Sequence, residues 1–200
     1  MSHTVDYYLA PQSPYTYLGH ERFVAMAKAT GATVRIKPMD LSKVFPLSGG
    51  LPLGKRAPQR LAYRLLELKR FGAFLNKPMN VQPKFFPVAG DDCARLIITV
   101  DLHDGIDAAL RLTGAILAAV WAQEHDIADA AVQAELLNAC GLSPQRLAQA
   151  QDPKIQSLYD SYTQEANDAC VFGAPSYVVG GELFWGQDRL DFVERKLQSK

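Results

Sequence analysis

The stretch YLAPQSPYTYLG, from Tyr8 to Gly19, decides the fold. Its front half closes a short run rich in Val and Tyr, Thr4 to Leu9, which Pro11 ends; the run reads as a buried strand. Its back half opens a helix, because Ser13 followed by Pro14 is a favoured N-cap and first helical position. From Pro14 to Thr30 the apolar residues Leu18, Phe23, Val24, Met26 and Ala27 recur near helical spacing, and Gly31 is a stop. TVRIK, Thr33 to Lys37, then alternates and runs into Pro38, which makes a second strand. A β-α-β opening favours a parallel pair joined by a right-handed crossover.

The other end of the chain has a different pattern. In APSYVVGGELFWGQDRLDFVERKLQ, Ser176–Val179 and Glu182–Trp185 flank Gly180-Gly181, a two-residue hairpin signal, and a helix follows from about Asp188. Between the two ends, residues 42–57 hold Pro46, Gly49, Gly50, Pro52 and Gly54 and read as a long, functional loop. Gln59 to Leu75 reads as helix. NKPMNVQPKFFPVAG carries three prolines and reads as irregular. Asp91 to about Ala169 is nearly all helical, broken at Gly105, Asp126, Gly141–Pro144 and Asp152-Pro153. The assembled pattern is an α/β fold. Its thioredoxin-like four-stranded sheet comes from residues 1–57 and 170–200, with a large all-helical insertion over residues 58–169. No linker-like tract separates the parts, so tight packing is expected.

Composition narrows the class. The chain has 200 residues, 48% of them hydrophobic, enough for a sizeable core. Its 21 basic and 21 acidic side chains cancel, so no long-range field draws in nucleic acid or an anionic membrane. No apolar run approaches the ~20 residues of a membrane span, and MSHTVDYYLA lacks the features of a signal peptide. Cys93, Cys140 and Cys170 are odd in number and far apart, and His3, His20, His103 and His125 form no ligand-like cluster. The expectation is a cytoplasmic protein with a small-molecule partner and no metal.

Three motifs carry chemistry. Ser13 reads as a helix cap. It also stands where free backbone N–H groups and the helix dipole favour an anion. A cysteine there would be unusually acidic, but no cysteine lies between Met1 and Asp92. A redox dithiol is therefore excluded, whereas an anion site is not. Ala174-Pro175 reads as a loop proline before a strand. Gly186-Gln187-Asp188-Arg189 reads as an ordinary acidic first turn.

SPYTYL, FGAPSYVV and FWGQDRLDFV in this order resemble the 2-hydroxychromene-2-carboxylate isomerases, which group with the class kappa glutathione transferases. The family's usual form of the last motif is close to W-G-N-D-R; here Gln187 stands in the place of Asn. The resemblance implies a glutathione-dependent cis-trans isomerase in which Ser13 hydrogen-bonds the glutathione thiolate and lowers its pKa. It implies a cis Ala174-Pro175 bond whose exposed peptide pairs with the cysteinyl unit. It also implies that Asp188 takes the γ-glutamyl ammonium while backbone N–H groups near Gln187 and Asp188 take the carboxylate. The substrate would be 2-hydroxychromene-2-carboxylate or a similar aromatic keto acid, in aromatic catabolism, and the assembly a homodimer. A kappa-type transferase or peroxidase and a non-catalytic binding module are the alternatives.

The second substrate would sit against residues 42–57 and 78–95. Phe85 and Phe86 offer an aromatic wall. Arg95, Lys43, Lys55 and Arg64 are candidate cations for a substrate carboxylate, none selected by spacing. The isomerases carry asparagines in the loop after the second strand; SKVFPLSGGLPLGKR contains none.

Overall fold

The structure, a computed structural model, describes residues 3–199. Residues 1, 2 and 200, which close the expected limits of the sheet-bearing segments, lie outside these. Strand β1 (Thr4–Leu9) leads through helix α1 (Pro14–Thr30) into β2 (Thr33–Pro38). Strands β3 (Ser176–Val179) and β4 (Glu182–Trp185) follow near the other end. All four form one sheet in the order β2-β1-β3-β4. β1 and β2 are parallel, with Tyr8 opposite Lys37; β1–β3 and β3–β4 are antiparallel.

The two-residue period of β1 gives the sheet two covered faces. Val5, Tyr7 and Leu9 point to the larger core, with Phe23 of α1 and Tyr177 of β3. Tyr8 points the other way, toward Met39, Val44, Ala166 and Val178. Between β2 and β3 every regular element of the described residues is helical. Helices α2 (Leu41–Ser48), α3 (Pro58–Phe74), α4 (Asp91–Asp104) and α5 (Ile106–Trp121) come first. Helices α6 (Ala130–Ala139), α7 (Arg146–Gln149) and α8 (Pro153–Asp168) complete the run. The breaks fall where the sequence places them. Gly105 takes φ 85°, and Asp129 and Asp152 cap α6 and α8 through their side chains.

Two sequence expectations are corrected. Residues 42–57 are not a continuous loop, because α2 and a single 3-10 turn at Leu53–Lys55 occupy much of them. The Asp40 side chain accepts from Ser42 N at 2.8 Å and starts α2, and Gly49 in a left-handed conformation ends it. This cap outweighs Pro46, which removes one bond from a helix of two turns. The last helix also does not begin at Asp188. A 3-10 turn, Gln187–Arg189, precedes α9 (Leu190–Gln198). Among the described residues, no helix is long and apolar enough to cross a membrane.

Candidate functional site

Strand β1 delivers the chain to the N-terminus of α1, where Ser13 adopts the extended backbone of an N-cap and is almost fully buried. Its Oγ accepts from Thr16 N at 3.2 Å, the ordinary capping bond. The same hydroxyl donates to the Ala174 carbonyl oxygen at 3.3 Å, 161 residues away. Ser13 is therefore a cap, and it is also the link between α1 and the segment entering β3. Both bonds are long for a hydroxyl, and a hydroxyl has one proton to give.

The Ala174-Pro175 bond is cis, as the resemblance implies. Ser176 Oγ donates to the Gly173 carbonyl at 2.8 Å and fixes this bend. One residue on, Gly186 N donates to the Pro175 carbonyl at 2.9 Å. Two hydrogen bonds thus join Ser13, Ala174-Pro175 and the Gly186–Asp188 turn into one contiguous edge. Gly186 has φ 108°, and a Cβ there would lie 2.6 Å from Asp188 Oδ1. Glycine lets the Asp188 carboxylate fold back over the turn. Asp188 is half-exposed and pairs with Arg189 at 2.6 Å.

Gln187 contributes differently from what its place in the motif suggests. Its side chain is buried against α1, with Oε1 accepting from Arg22 at 3.0 Å and the backbone carbonyl accepting from the same nitrogen at 3.3 Å. The approach is close: a Cβ on Gly19 would stand 2.7 Å from Gln187 Cβ. Only the Gln187 backbone remains for a ligand. As the first residues of a 3-10 turn, Gln187 and Asp188 have no acceptor for their amides within it.

On the opposite side of Ser13 lies the irregular segment of residues 76–90. Its end meets Gln12: a Cβ on Gly90 would fall 2.2 Å from Gln12 Oε1, an atom buried without a hydrogen-bond partner. Phe86 packs on Trp121 with ring centroids 4.7 Å apart, and the following bond to Pro87 is also cis. Phe85 is half-buried, with the Lys84 ammonium 4.9 Å from its centroid. The four candidate cations separate clearly. Arg95 is tied to Asp92 and to Gln156 at 2.7 Å, and Lys43 to Asp160 at 2.7 Å. Lys55 is exposed on its 3-10 turn. Arg64 alone of the four lies on aromatic rings, 5.3 Å from Phe86 and 5.8 Å from Trp121.

Three aromatic residues also bear on this edge. Tyr15, the second residue of α1, is half-buried; burial raises its pKa, and Arg64, Glu67 and Arg56 act on it in that order, the acid opposing the two cations. Phe172 and Trp185 form a half-exposed aromatic pair at 4.9 Å beside Gly173, whose hypothetical Cβ would lie 2.4 Å from Trp185 Nε1. A groove of about 790 Å³ lies elsewhere, along α3 and residues 76–81, and Ser13 is not among the residues lining it. Of the thiols, Cys93 is buried, Cys140 half-buried and Cys170 exposed. Burial pushes the Cys93 thiol well up, and its Sγ donates to the Ile127 carbonyl.

A family model described as DSBA-like thioredoxin domain matches residues 4–198. A 2-hydroxychromene-2-carboxylate isomerase of Sphingobium xenophagum is 27% identical over 199 residues, 98% of this chain and 99% of that protein. Glutathione S-transferase kappa 1 of Homo sapiens is 22% identical over 208 residues, 98% of this chain and 92% of that one. A solved structure of a 2-hydroxychromene-2-carboxylate isomerase superposes with a TM-score of 0.80 at 24% identity. It covers 96% of this chain and 93% of the other, a likeness of fold.

Proposed function

The chain belongs to the DSBA-like thioredoxin domain family, and from that premise we propose that it is a glutathione-dependent cis-trans isomerase. Its substrate would be 2-hydroxychromene-2-carboxylate or a similar aromatic keto acid. Relatives named as isomerase and as kappa transferase support the coarser statement, an enzyme of a glutathione-related isomerase and transferase family. The observation that carries the finer reading is the Ser13 hydroxyl. It stands at the N-terminus of α1 with its proton on the Ala174 carbonyl, beside a cis proline.

The residues fit a tripeptide thiol. Ser13 Oγ–H can turn from Ala174 O to a sulfur, a small loss because the bond it leaves is 3.3 Å long. That turn frees the Ala174 carbonyl to accept a ligand amide, as an added strand would. Asp188 belongs to the turn that Gly186 N ties to the Pro175 carbonyl, and the reading requires it to lie within the roughly 10 Å that an extended tripeptide spans from Ser13. Asp188 would hold the ammonium, and the Gln187 and Asp188 amides the neighbouring carboxylate.

Bound glutathione would supply a thiolate that adds reversibly to a conjugated carbon and is regenerated. The chain's own part is to hold the sulfur ionised, through the Ser13 hydrogen bond, the Tyr15 amide and the positive end of the α1 dipole. It also fixes the sulfur relative to the second substrate. Calorimetric titration with glutathione tests the reading: saturable one-site binding is expected, and its absence would leave a non-catalytic module. The kappa relative favours one further reading, in which glutathione is consumed, and measuring free thiol during turnover separates the two. We place the protein in the cytoplasm, as a homodimer.

A further inference from the structure

We propose that Arg64, assisted by Tyr15, is the residue pair that recognises the carboxylate of the second substrate, which makes the enzyme selective for aromatic acids over their neutral analogues. The inference rests on the isomerase reading for its chemistry. Its evidence is separate.

Four arginines of the described chain are half-buried: Arg56, Arg64, Arg95 and Arg146. Arg95 pairs with Asp92 and Arg146 with Asp104 at 2.7 Å. Arg56 donates to the Leu51 carbonyl at 2.8 Å. Arg64 is the exception, with neither an acid nor a hydrogen-bond acceptor among the described residues. A guanidinium has five donors, and leaving them idle in a partly dehydrated place is costly unless something else takes them. Burial acts on this group, since desolvation depresses its pKa while it remains a cation. The neighbouring acid, Glu67, is occupied by Arg70 at 3.0 Å.

The guanidinium is also held in place. It lies over the rings of Phe86 and Trp121, which are packed on each other at 4.7 Å. Stacking fixes the plane of the fork and keeps water from one face, the arrangement in which a bidentate bond to a carboxylate is strongest. Arg56 adds a second positive charge to the same locale.

Ser13 and Arg64 stand on elements that pack on each other, the N-cap of α1 and helix α3. Tyr15 follows Ser13 by two residues, and its hydroxyl interacts with Arg64 across the α1–α3 contact. That hydroxyl has no hydrogen-bond partner among the described residues. It is a neutral donor for the carboxylate or for the keto oxygen next to it. An acid bound by both groups would have its conjugated chain directed back toward Ser13.

The test measures binding without glutathione, so that its outcome does not depend on the thiolate chemistry. Benzylidenepyruvate, a conjugated aromatic keto acid, and its methyl ester are titrated by calorimetry into the wild type, Arg64→Gln, Arg64→Lys and Tyr15→Phe. The wild type should bind the acid at least tenfold more tightly than the ester. Arg64→Gln should weaken the acid by about ten- to a hundredfold and leave the ester unchanged. Arg64→Lys should recover part of the loss, because the charge returns without the fork, and Tyr15→Phe should lose less than tenfold. Glutathione affinity of the variants should match the wild type, which also reports that they fold. Equal affinity of the wild type for acid and ester, or an unchanged acid affinity in Arg64→Gln, would overturn the proposal. Acid selectivity in a protein that does not bind glutathione would uphold this inference and sink the isomerase reading instead.

Discussion

Replacing Ser13 by Gly and by Ala separates a cap from a catalytic group. The hydroxyl accepts from Thr16 N at 3.2 Å, and Thr16 is fully buried, so water cannot replace that acceptor. Ala at the cap should therefore cost about 1–2 kcal/mol of stability. Gly at an N-cap costs only a few tenths, because it tolerates the cap conformation and leaves the first turn open. Both substitutions equally remove the hydrogen bond to a bound thiolate. A bond to a charged acceptor is worth about 1.5–3 kcal/mol. Its loss should raise the pKa of the bound thiol by roughly one to two units and slow turnover about ten- to a hundred-and-fiftyfold. Affinity for glutathione below the thiol pKa should barely change, because Ala174 and the Asp188 turn hold the rest of the tripeptide. The assay is thiolate absorbance against pH with glutathione bound, alongside turnover and urea unfolding. A Ser13→Gly protein with wild-type titration and turnover would refute the reasoning and leave Ser13 as a cap alone.

Three other outcomes are expected. Gly19→Ala places a methyl group 2.7 Å from Gln187 Cβ and 3.2 Å from its Cα. Overpacking of about 1–3 kcal/mol, less about 1 kcal/mol gained in helix propensity, should destabilise the protein modestly. It should weaken glutathione binding while the bound-thiol pKa stays put, and calorimetry with denaturant unfolding reads both. Asp188→Asn should leave stability within about 0.5 kcal/mol, since its half-exposed pair with Arg189 is worth little. It should raise the Kd for glutathione at least fivefold, and an unchanged Kd would remove Asp188 from the site. His20 is buried neutral, its Nε2–H donating to the Leu110 carbonyl at 2.9 Å and its Nδ1 accepting from Tyr7 at 3.1 Å, and desolvation lowers its pKa to about 4. Between pH 6.5 and 4 the unfolded chain thus binds the extra proton, so stability falls as pH drops through that window, by roughly 3 kcal/mol in all. His20→Gln should flatten that acid limb in urea unfolding at pH 7, 5.5 and 4.5; an unaltered limb would assign it to other groups.

Most of the sheet was legible because its signals are local. An alternating run before Pro38, a Gly-Gly loop and a Ser-Pro cap each act within a few residues, and the strands and α1 fall where those signals put them. The helix α2 was not legible for a related reason. Three glycines and two prolines over residues 46–54 outnumber the one short-range cue, Asp40, which starts it. Ser13 and Pro175 were visible as motif positions. The approach of the Ala174-Pro175 peptide to Ser13 was legible only through the family resemblance, because a bond spanning 161 residues leaves no trace in spacing. The place of the Gln187 side chain was not legible either: it turns into the protein, toward Arg22 on α1. The substrate side was least legible. Arg64, Arg95, Lys43 and Lys55 are equivalent as letters, and only tertiary packing separates a cation already paired with an acid from one stacked on rings with no acid at hand.

The division of labour between chain and ligand follows from one deletion. The N-terminus of α1 offers the Tyr15 amide and a positive dipole end whichever residue caps it, so it favours an anion there in any case. A cysteine in that place would make the anion part of the protein, available for disulfide exchange. With serine there and no cysteine before residue 93, the site keeps its electrostatics and loses its own sulfur. Cys93 and Cys140 do not replace it, since burial pushes both toward the neutral form, and the exposed Cys170 follows the C-terminal end of α8, where the helix dipole disfavours an anion. A thiolate at this terminus must then arrive on a small molecule and depart with it. On the proposed reading that thiolate adds reversibly to an electrophile, where a pair of cysteines would exchange electrons.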